Sequence, residues 1–295
     1  MHASRSRWPA PRALATLALA YGAALVAACS AGWFVHGQHP LMVIAVADIV
    51  GTLVIFAFSR AFTNSSFYDP YWSVAPMVIA IYWLPMAENP VRAIAVIALV
   101  WLWGLRLTLN FLRTWPSLEH EDWRYRDLQT STGRAYWLVS LFGIHLLPTA
   151  WVYLGCLALY PAMTSPSGTG IADVAALLVV LSALVVETVA DRQLHQFRDN
   201  PKHGPDAVLR SGLWRLCRHP NYLGELGFWW GLFLVGMAAD ADAWWTIAGP
   251  LSITLLFVFI SIPMIDRRHL ARRPLYAALM HELPALLPLG PRGRH

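Results

Sequence analysis

Residues 41–62, LMVIAVADIVGTLVIFAFSRAF, are apolar for nearly their whole length, and Asp48 and Arg60 are the charged residues among them. The hydrocarbon core of a bilayer, about 30 Å thick, is crossed by a helix of roughly 20 such residues. The run shows neither the alternation of period two nor the regular turns that barrel strands require. It therefore indicates a membrane-spanning helix.

Other runs of similar composition extend this prediction along the chain, at about 13–35, 71–87, 91–112, 135–160, 171–190, 222–239 and 243–265. The third span, 71–87, follows Pro70 and contains Pro76 and Pro85, so a kinked or partly re-entrant segment is expected. The sequence is 57% hydrophobic and 13% charged, whereas soluble domains carry about a quarter charged residues. The predicted fold class is an all-α, polytopic membrane helical bundle.

The basic residues give an orientation. With the N-terminus in the cytoplasm, all 22 lysines and arginines except Arg92 and Arg106 fall in segments on the inner side. Asp48 and Glu88 are expected near the outer face, where solvation at span ends suffices for them. The prediction is an integral protein of a bacterial inner membrane, with its active site and C-terminus cytoplasmic. No nucleic-acid partner and no obligate protein partner are expected.

The first span has two interpretations. Arg5, Arg7 and Arg12, followed by an apolar stretch that ends at Cys29, resemble a lipoprotein signal with its lipidated cysteine. The alternative is an ordinary transmembrane helix, giving residues 1–36 as an N-terminal span and 37–295 as a membrane-embedded catalytic domain.

Known motifs for soluble cofactor binding are absent. The chain has no glycine-rich dinucleotide fingerprint and no Walker loop. Three scattered cysteines exclude a disulfide framework, and His195, His203 and His219 lack metal-ligand spacing, so no metal is expected.

Polar clusters converge on the expected cytoplasmic side. Three of them are Tyr68–Trp72, the fourth-span residues Arg106 and Asn110 with Arg113 beyond them, and the loop Glu119–Asp127. An arginine inside a span marks a site unless it reaches the interface, which is the alternative for Arg106. For the loop, the alternative is a solvated segment of self-paired charges.

Two more clusters lie later in the chain. One is a helical face formed by Glu187, Asp191, His195 and Arg198. The other is Leu213–Glu225, in which Pro220 suits the first turn of a helix and Asn221 and Glu225 share a face. Gly224 would admit a ligand or a neighbouring backbone. Glu225 needs a partner such as Arg218, Arg106 or a ligand, because an unpaired carboxylate within a membrane is costly.

The segment Arg218-His219-Pro220-Asn221-Tyr222-Leu223-Gly224-Glu225, followed by Trp229-Trp230-Gly231, resembles the steroid 5-alpha-reductase-like family. It is most similar to a bacterial branch known as a domain of unknown function, as are Glu121–Tyr125 and Arg272–Tyr276. The likeness covers roughly residues 40–290. An Arg-His-Pro core also occurs in isoprenylcysteine carboxyl methyltransferase-like proteins.

This resemblance implies a seven-helix core that encloses NADPH, here preceded by an extra N-terminal span, and a lipophilic substrate that enters from the membrane. Hydride would pass to an alkene conjugated to a carbonyl. The implied catalytic residues are Tyr68, Asp69 and Arg106. The implied cofactor-binding residues are Asn110, Arg113, Asp122, Trp123, Arg124, Tyr125, Asp191, Arg198, Arg218, His219, Asn221, Tyr222, Glu225, Arg268, Arg272 and Tyr276.

One position departs from the family. The steroid enzymes bind the substrate carbonyl with a Gln-Glu pair, and the alignable residues here are Tyr68 and Asp69. Their tyrosine partner falls near Trp103, so a steroid substrate is not implied. Burial raises a carboxyl pKa, so a neutral Asp69 could act as an acid.

The sequence is compatible with three functions. The leading prediction is NADPH-dependent reduction of a conjugated C=C bond in a sterol, isoprenoid or acyl substrate. An S-adenosylmethionine-dependent methyltransferase is the alternative, although it would not need arginines for a pyrophosphate. A transporter or assembly factor is disfavoured because the outer side lacks polar residues.

Overall fold

All regular structure in the computed structural model, which describes residues 8–204 and 206–287, is helical. Within these ranges, seven helical segments are long and apolar enough to cross a membrane. They are Pro11–Phe34, Pro40–Ala61, Pro90–Thr114, Trp123–Thr164, Ile171–Asp199, Pro220–Ala239 and Ala241–Arg272. The predicted all-α, polytopic membrane helical bundle is confirmed.

The described chain divides into two compact units, with the boundary between Thr164 and Ser165. The helices of the first unit are α1 (Pro11–Phe34), α2 (Pro40–Ala61), α3 (Tyr71–Tyr82), α4 (Pro90–Thr114), α5 (Trp123–Thr132), α6 (Tyr136–Val139), α7 (Leu147–Cys156) and α8 (Leu159–Thr164). Helix α1 packs along α2, and α3 packs against α4 and α7. A π-helical segment, Ser140–Leu146, joins α6 to α7. The division predicted at residue 36 stays a prediction.

The third candidate span, which was expected to be kinked or partly re-entrant, is too short for a full crossing. Helix α3 has 12 residues, which at 1.5 Å per residue reach only about 18 Å. The α-helix ends before Pro85 because a proline disfavours helical geometry in the residue that precedes it. A short 3₁₀ turn, Leu84–Met86, follows instead.

Two charged residues of the first unit lie deeper than predicted. Arg92 was expected in an outer loop, but it occupies the first turn of α4 and is fully buried. Asp48 was expected near a solvated span end, yet it is buried within α2 and accepts a hydrogen bond from Tyr71 Oη at 2.8 Å. Solvation therefore does not account for Asp48.

The second unit contains α9 (Ile171–Asp199), α10 (Pro220–Ala239), α11 (Ala248–Leu256), α12 (Ile262–Arg272) and α13 (Tyr276–Glu282). Helices α9 and α10 pack against each other along three glycines of α10: Gly224, Gly227 and Gly231. A Cβ atom at Gly224 would lie 2.5 Å from Glu187 Cβ, and one at Gly231 would lie 2.6 Å from Val180 Cγ2. Gly224 thus admits a neighbouring helix backbone, which was one of the two uses predicted for it.

Candidate functional site

Two polar loops of the first unit are joined by hydrogen bonds. Asn64 Nδ2 donates to the carbonyl oxygens of Leu118 and His120, at 2.6 and 2.9 Å. The backbone N–H of Ser65 donates to Glu121 Oε1 at 2.8 Å. The structure therefore brings the Tyr68–Trp72 segment and the Glu119–Asp127 loop together, and the loop is not merely a solvated segment of self-paired charges.

The Asp69 cluster, which we define as Tyr68, Asp69, Asp122, Arg124 and Tyr125, lies where these loops meet. Tyr125 Oη donates to Asp69 Oδ1 at 2.5 Å, and Arg124 Nη2 lies 3.4 Å from the same oxygen. Arg124 Nε makes a closer contact, 2.7 Å, with Asp122 Oδ1. Arg124 is thus shared between two carboxylates and lies nearer to Asp122.

Asp69 titrates near neutrality. Burial is the main cause that raises the pKa of its carboxyl from 3.8 to about 6, and Asp122 raises it further. Arg124 and the hydrogen bonds from Tyr125 and Ser66 oppose this rise. Because the carboxyl is close to half-protonated at pH 6, it can supply a proton as well as accept one.

Tyr68 presents a neutral phenol beside this carboxyl. Its side chain is buried, and its hydroxyl lies 2.8 Å from Thr149 Oγ1, which in turn lies 2.7 Å from Thr52 Oγ1. Burial raises the pKa of Tyr68 well above its ordinary value, so the hydroxyl keeps its proton. A phenol that keeps its proton is thus followed in the sequence by a carboxyl that can gain or lose one.

For the other predicted residues of the first unit, the structure gives a position and a degree of burial. Arg106 and Asn110 lie one turn apart on α4, and both are partly buried. Arg113 is exposed near the end of α4, whereas Trp123 begins α5 and is partly buried. Their catalytic and cofactor-binding roles stay predictions.

The Asp266 cluster of the second unit consists of Arg218, His219, Asp266 and Tyr276. Asp266 Oδ2 lies 2.8 Å from Arg218 Nη2, and Asp266 Oδ1 lies 2.8 Å from His219 Nε2. Tyr276 Oη donates to Asp266 Oδ1 at 2.5 Å. The side chains of Arg218 and Asp266 are only 9% and 7% exposed. This carboxylate therefore has an arginine, a histidine and a tyrosine as partners.

Arg218 also binds the segment that follows α13. Its Nη1 donates to Leu283 O at 2.6 Å, and its backbone N–H donates to Pro284 O at 3.0 Å. The N–H of His219 donates to Ala285 O at 3.0 Å. These bonds fix the loop before α10 to the segment after α13, so Arg218 and His219 act as positioning residues within this unit.

The helix that follows carries two further predicted residues. Glu225 Oε1 accepts a hydrogen bond from Trp229 Nε1 at 3.0 Å, so one partner of this carboxylate lies on its own helix. Asn221 Oδ1 is buried and has no hydrogen-bond partner among the described residues. A buried amide oxygen without a partner costs free energy, which a bound donor would recover.

Positive charge collects at the end of α9. The guanidinium of Arg198 lies within electrostatic range of three groups. The largest of these interactions is repulsion by Arg273, and the others are with Asp191 and Tyr222. Tyr222 stacks on His219, with ring centroids 5.4 Å apart. Arg268 and Arg272 lie on α12, the first partly buried and the second exposed. Neighbouring arginines repel each other, and an anion placed between them would remove that repulsion.

Sequence reasoning missed Asp266, Ser65 and Ser66, and it named Glu121 as part of a polar loop and a family motif without giving it a role. Asp266 precedes Arg267 and Arg268 in a basic tail, and the only signal for it was a lone acid at the end of an apolar run. Within the described ranges, no group of three His, Cys, Asp or Glu side chains could hold a metal ion.

Comparison with known proteins gives two matches. The model of a family described as a protein of unknown function (DUF1295) matches residues 55–282. An uncharacterized protein of Schizosaccharomyces pombe, C594.04c, is 25% identical over 281 residues, covering 86% of this chain and 81% of that protein. No solved structure matches. Since the family model spans most of the sequence and reaches from α2 to α13, this membrane protein belongs to the DUF1295 family.

Proposed function

We propose that the protein is an NADPH-dependent reductase of a carbonyl-conjugated C=C bond in a lipophilic sterol, isoprenoid or acyl substrate. The proposal rests on the resemblance to steroid 5-alpha-reductase-like proteins and is carried by one observation, the Asp69 cluster. A buried carboxyl whose pKa is raised to about 6 lies directly after a buried, neutral tyrosine.

In this proposal Tyr68 and Asp69 act on the substrate carbonyl. Reduction of the conjugated alkene builds negative charge on the carbonyl oxygen, and a hydrogen-bond donor aimed at that oxygen contributes about 10²–10³ in rate. Tyr125 and Arg124 keep Asp69 in place through its Oδ1 atom. Because Tyr68 is buried, water competes little for its hydroxyl.

The residues of the second unit fit a dinucleotide. NADPH would supply the hydride when bound. The unpartnered amide oxygen of Asn221 would accept a hydrogen bond from it, and Arg198 and Arg273 would bind phosphate oxygens, for which arginine geometry is suited. Arg218, His219 and Tyr276 would act indirectly, by holding the loop that precedes Asn221.

The first experiment is a thermal-shift titration of the detergent-purified protein with NADPH, NADH and S-adenosylmethionine. A ligand that binds the folded state at a hundredfold over its dissociation constant adds about 2.7 kcal/mol of stability. We expect stabilisation by NADPH, loss of that stabilisation in Arg198→Ala and Asn221→Ala, and little change in Arg192→Ala. Arg192 is the matched control because it is also exposed on α9.

The catalytic part is tested separately with a panel of lipophilic enones, by following NADPH oxidation. Asp69→Asn and Tyr68→Phe should lower turnover by about 10²–10³ while NADPH still stabilises each variant. Unchanged turnover would remove both residues from the role of donor. Stabilisation by S-adenosylmethionine instead of NADPH would replace the reductase with a methyltransferase.

A further inference from the structure

A cavity of about 520 Å³ lies within the first unit, between α1, α2 and α3. Its lining is almost wholly apolar and includes small residues of α1 such as Ala24 and Ala28. No lysine or arginine lines it, whereas one carboxyl, that of Asp48, does. A volume of this order falls in the range of small-molecule sites.

Asp48, which is part of the lining, has a carboxyl oxygen without a hydrogen-bond partner among the described residues. The residue is 6% exposed, and its Oδ1 accepts a hydrogen bond from Tyr71 Oη at 2.8 Å. Its Oδ2 is buried and has no hydrogen-bond partner among the described residues. A buried carboxyl oxygen without a partner is costly, and the apolar surroundings offer nothing to offset that cost.

Gly51 permits this arrangement. An added Cβ at that position would lie 2.8 Å from Tyr71 Oη, so a larger residue would displace the hydroxyl that orients Asp48. Tyr71 also stacks on Tyr68, with ring centroids 5.3 Å apart. Neither Tyr68 nor Asp69 lines the cavity, so it is separate from the Asp69 cluster.

Most of the cavity lies outside the residues matched by the family model. That match begins at residue 55, so α1 and Asp48 precede it and only the α3 wall falls within it. The residues that line the cavity do not include those assigned to the proposed reductase activity, so the inference does not depend on that activity.

We propose that this cavity binds an amphiphile with an apolar body and a single hydrogen-bond donor, a hydroxyl or an amino group, at its head. The donor would bond Asp48 Oδ2, and the body would lie against α1 and α3. An apolar chain without a donor would leave the carboxyl oxygen unsatisfied, which is why the head decides the binding.

Cys29 allows a direct test. It lines the cavity and is exposed, whereas Cys156 and Cys217 are buried. The full chain in lipid nanodiscs is treated with a maleimide, and the alkylation rate of Cys29 is measured with 1-dodecanol, dodecylamine or dodecyl methyl ether present. At ten times its dissociation constant, a bound probe should slow the reaction about tenfold. We expect slowing by both the alcohol and the amine, and none by the ether.

Variants test whether the probe binds in the cavity and at Asp48. Asp48→Leu should abolish protection by both donor probes, whereas Asp48→Asn should abolish it for the amine only, because a hydroxyl can accept from the new amide. Ala28→Leu should fill the cavity and remove protection. Its matched control is Ala27→Leu, a neighbouring, equally part-exposed alanine of α1 outside the lining. Equal protection by the ether, or full protection in Asp48→Leu or Ala28→Leu, would overturn the proposal and leave only ordinary contact with bilayer lipid.

Discussion

The Asp69 and Asp266 clusters are built from the same three groups: a carboxylate, an arginine and a tyrosine. In both, a tyrosine hydroxyl donates to one carboxylate oxygen at 2.5 Å. The arginines differ. Arg218 Nη2 lies 2.8 Å from Asp266, whereas Arg124 Nη2 lies 3.4 Å from Asp69 and the Nε atom of the same arginine lies 2.7 Å from Asp122.

This difference in distance supports a structural role for the Asp266 cluster and the catalytic role that we propose for the Asp69 cluster. Asp266 has a close cation and a histidine, so its charge is compensated and the cluster ties the chain end to the loop before α10. Asp69 shares its cation with another acid, and burial keeps its carboxyl close to neutral. A carboxyl that is incompletely compensated is able to exchange a proton near physiological pH.

The largest expected effect is at Asp266. Asp266→Ala leaves Arg218 buried without its carboxylate, which should lower the free energy of unfolding by about 3–5 kcal/mol. Denaturation in mixed micelles measures it. Asp199→Ala, at an exposed position of α9, is the control and should change little. If both variants lose equally little, the Asp266 cluster does not hold the second unit together.

The second-largest expected effect is a pH dependence of the free energy of unfolding, caused by Asp69. Its pKa in the folded protein, about 6, lies above the ordinary value of 3.8, so the folded state binds the proton more tightly. Proton binding at Asp69 therefore adds about 3 kcal/mol to the free energy of unfolding. This contribution is fully present below pH 4 and is lost as the pH rises through 6.

Denaturation of wild type and Asp69→Asn at several pH values isolates this contribution. The difference between their unfolding free energies should change across pH 4–7. Glu119→Gln, a change at an exposed position, is the control, and its difference from wild type should not show the same loss of stabilisation as the pH rises. A constant difference for Asp69→Asn would mean that Asp69 is ionised throughout and that the contrast with Asp266 is wrong.

A smaller effect compares the two tyrosines directly. Tyr276→Phe removes a hydrogen bond to a charge-paired carboxylate and should cost about 1.5–3 kcal/mol. Tyr125→Phe, measured at pH 5, removes one to a largely neutral carboxyl and should cost about 0.5–1.5 kcal/mol. Parallel unfolding curves give both values. The reverse order would show that Asp69 carries the fuller charge.

The smallest effect concerns the basic end of α9. Arg198→Ala relieves repulsion from Arg273 and should raise the stability of the nucleotide-free protein by a few tenths of a kcal/mol, because exposed charges interact weakly. Arg192→Ala, on the same helix, should not. Thermal unfolding at low salt measures the difference, and added salt should reduce it. A loss of stability in Arg198→Ala would assign it a structural ion pair.

The membrane fold could be predicted from single stretches of sequence because a span is a local property. The prolines of the run at 71–87 indicated an irregular segment, but they did not indicate that the α-helix would end at Tyr82. Asp48 was placed at a solvated end because no local pattern shows that Tyr71, 23 residues away, bonds to it.

The candidate site depends on contacts that no local pattern records. Asp69 and Tyr125 are 56 residues apart, and His219 and Asp266 are 47 apart. Composition marked Asp69, Tyr125 and His219 as polar residues near span ends, which was enough to name them. It could not reveal Asp266, because an acid beside two arginines in a basic tail suggests pairing with its neighbours.

The glycines of α10 that contact α9 (Gly224, Gly227 and Gly231) have a consequence for how the chain is inserted. Within lipid, helices are not driven together by exclusion of water, so close contact between small residues supplies much of the attraction. Helices α9 and α10 can therefore associate as a hairpin as soon as α10 has entered the bilayer, before α11 and α12 are synthesised. A substitution such as Gly231→Val would hinder the pairing of α9 and α10 during insertion. It would therefore lower the yield of inserted protein, and the protein that is inserted correctly would keep its properties.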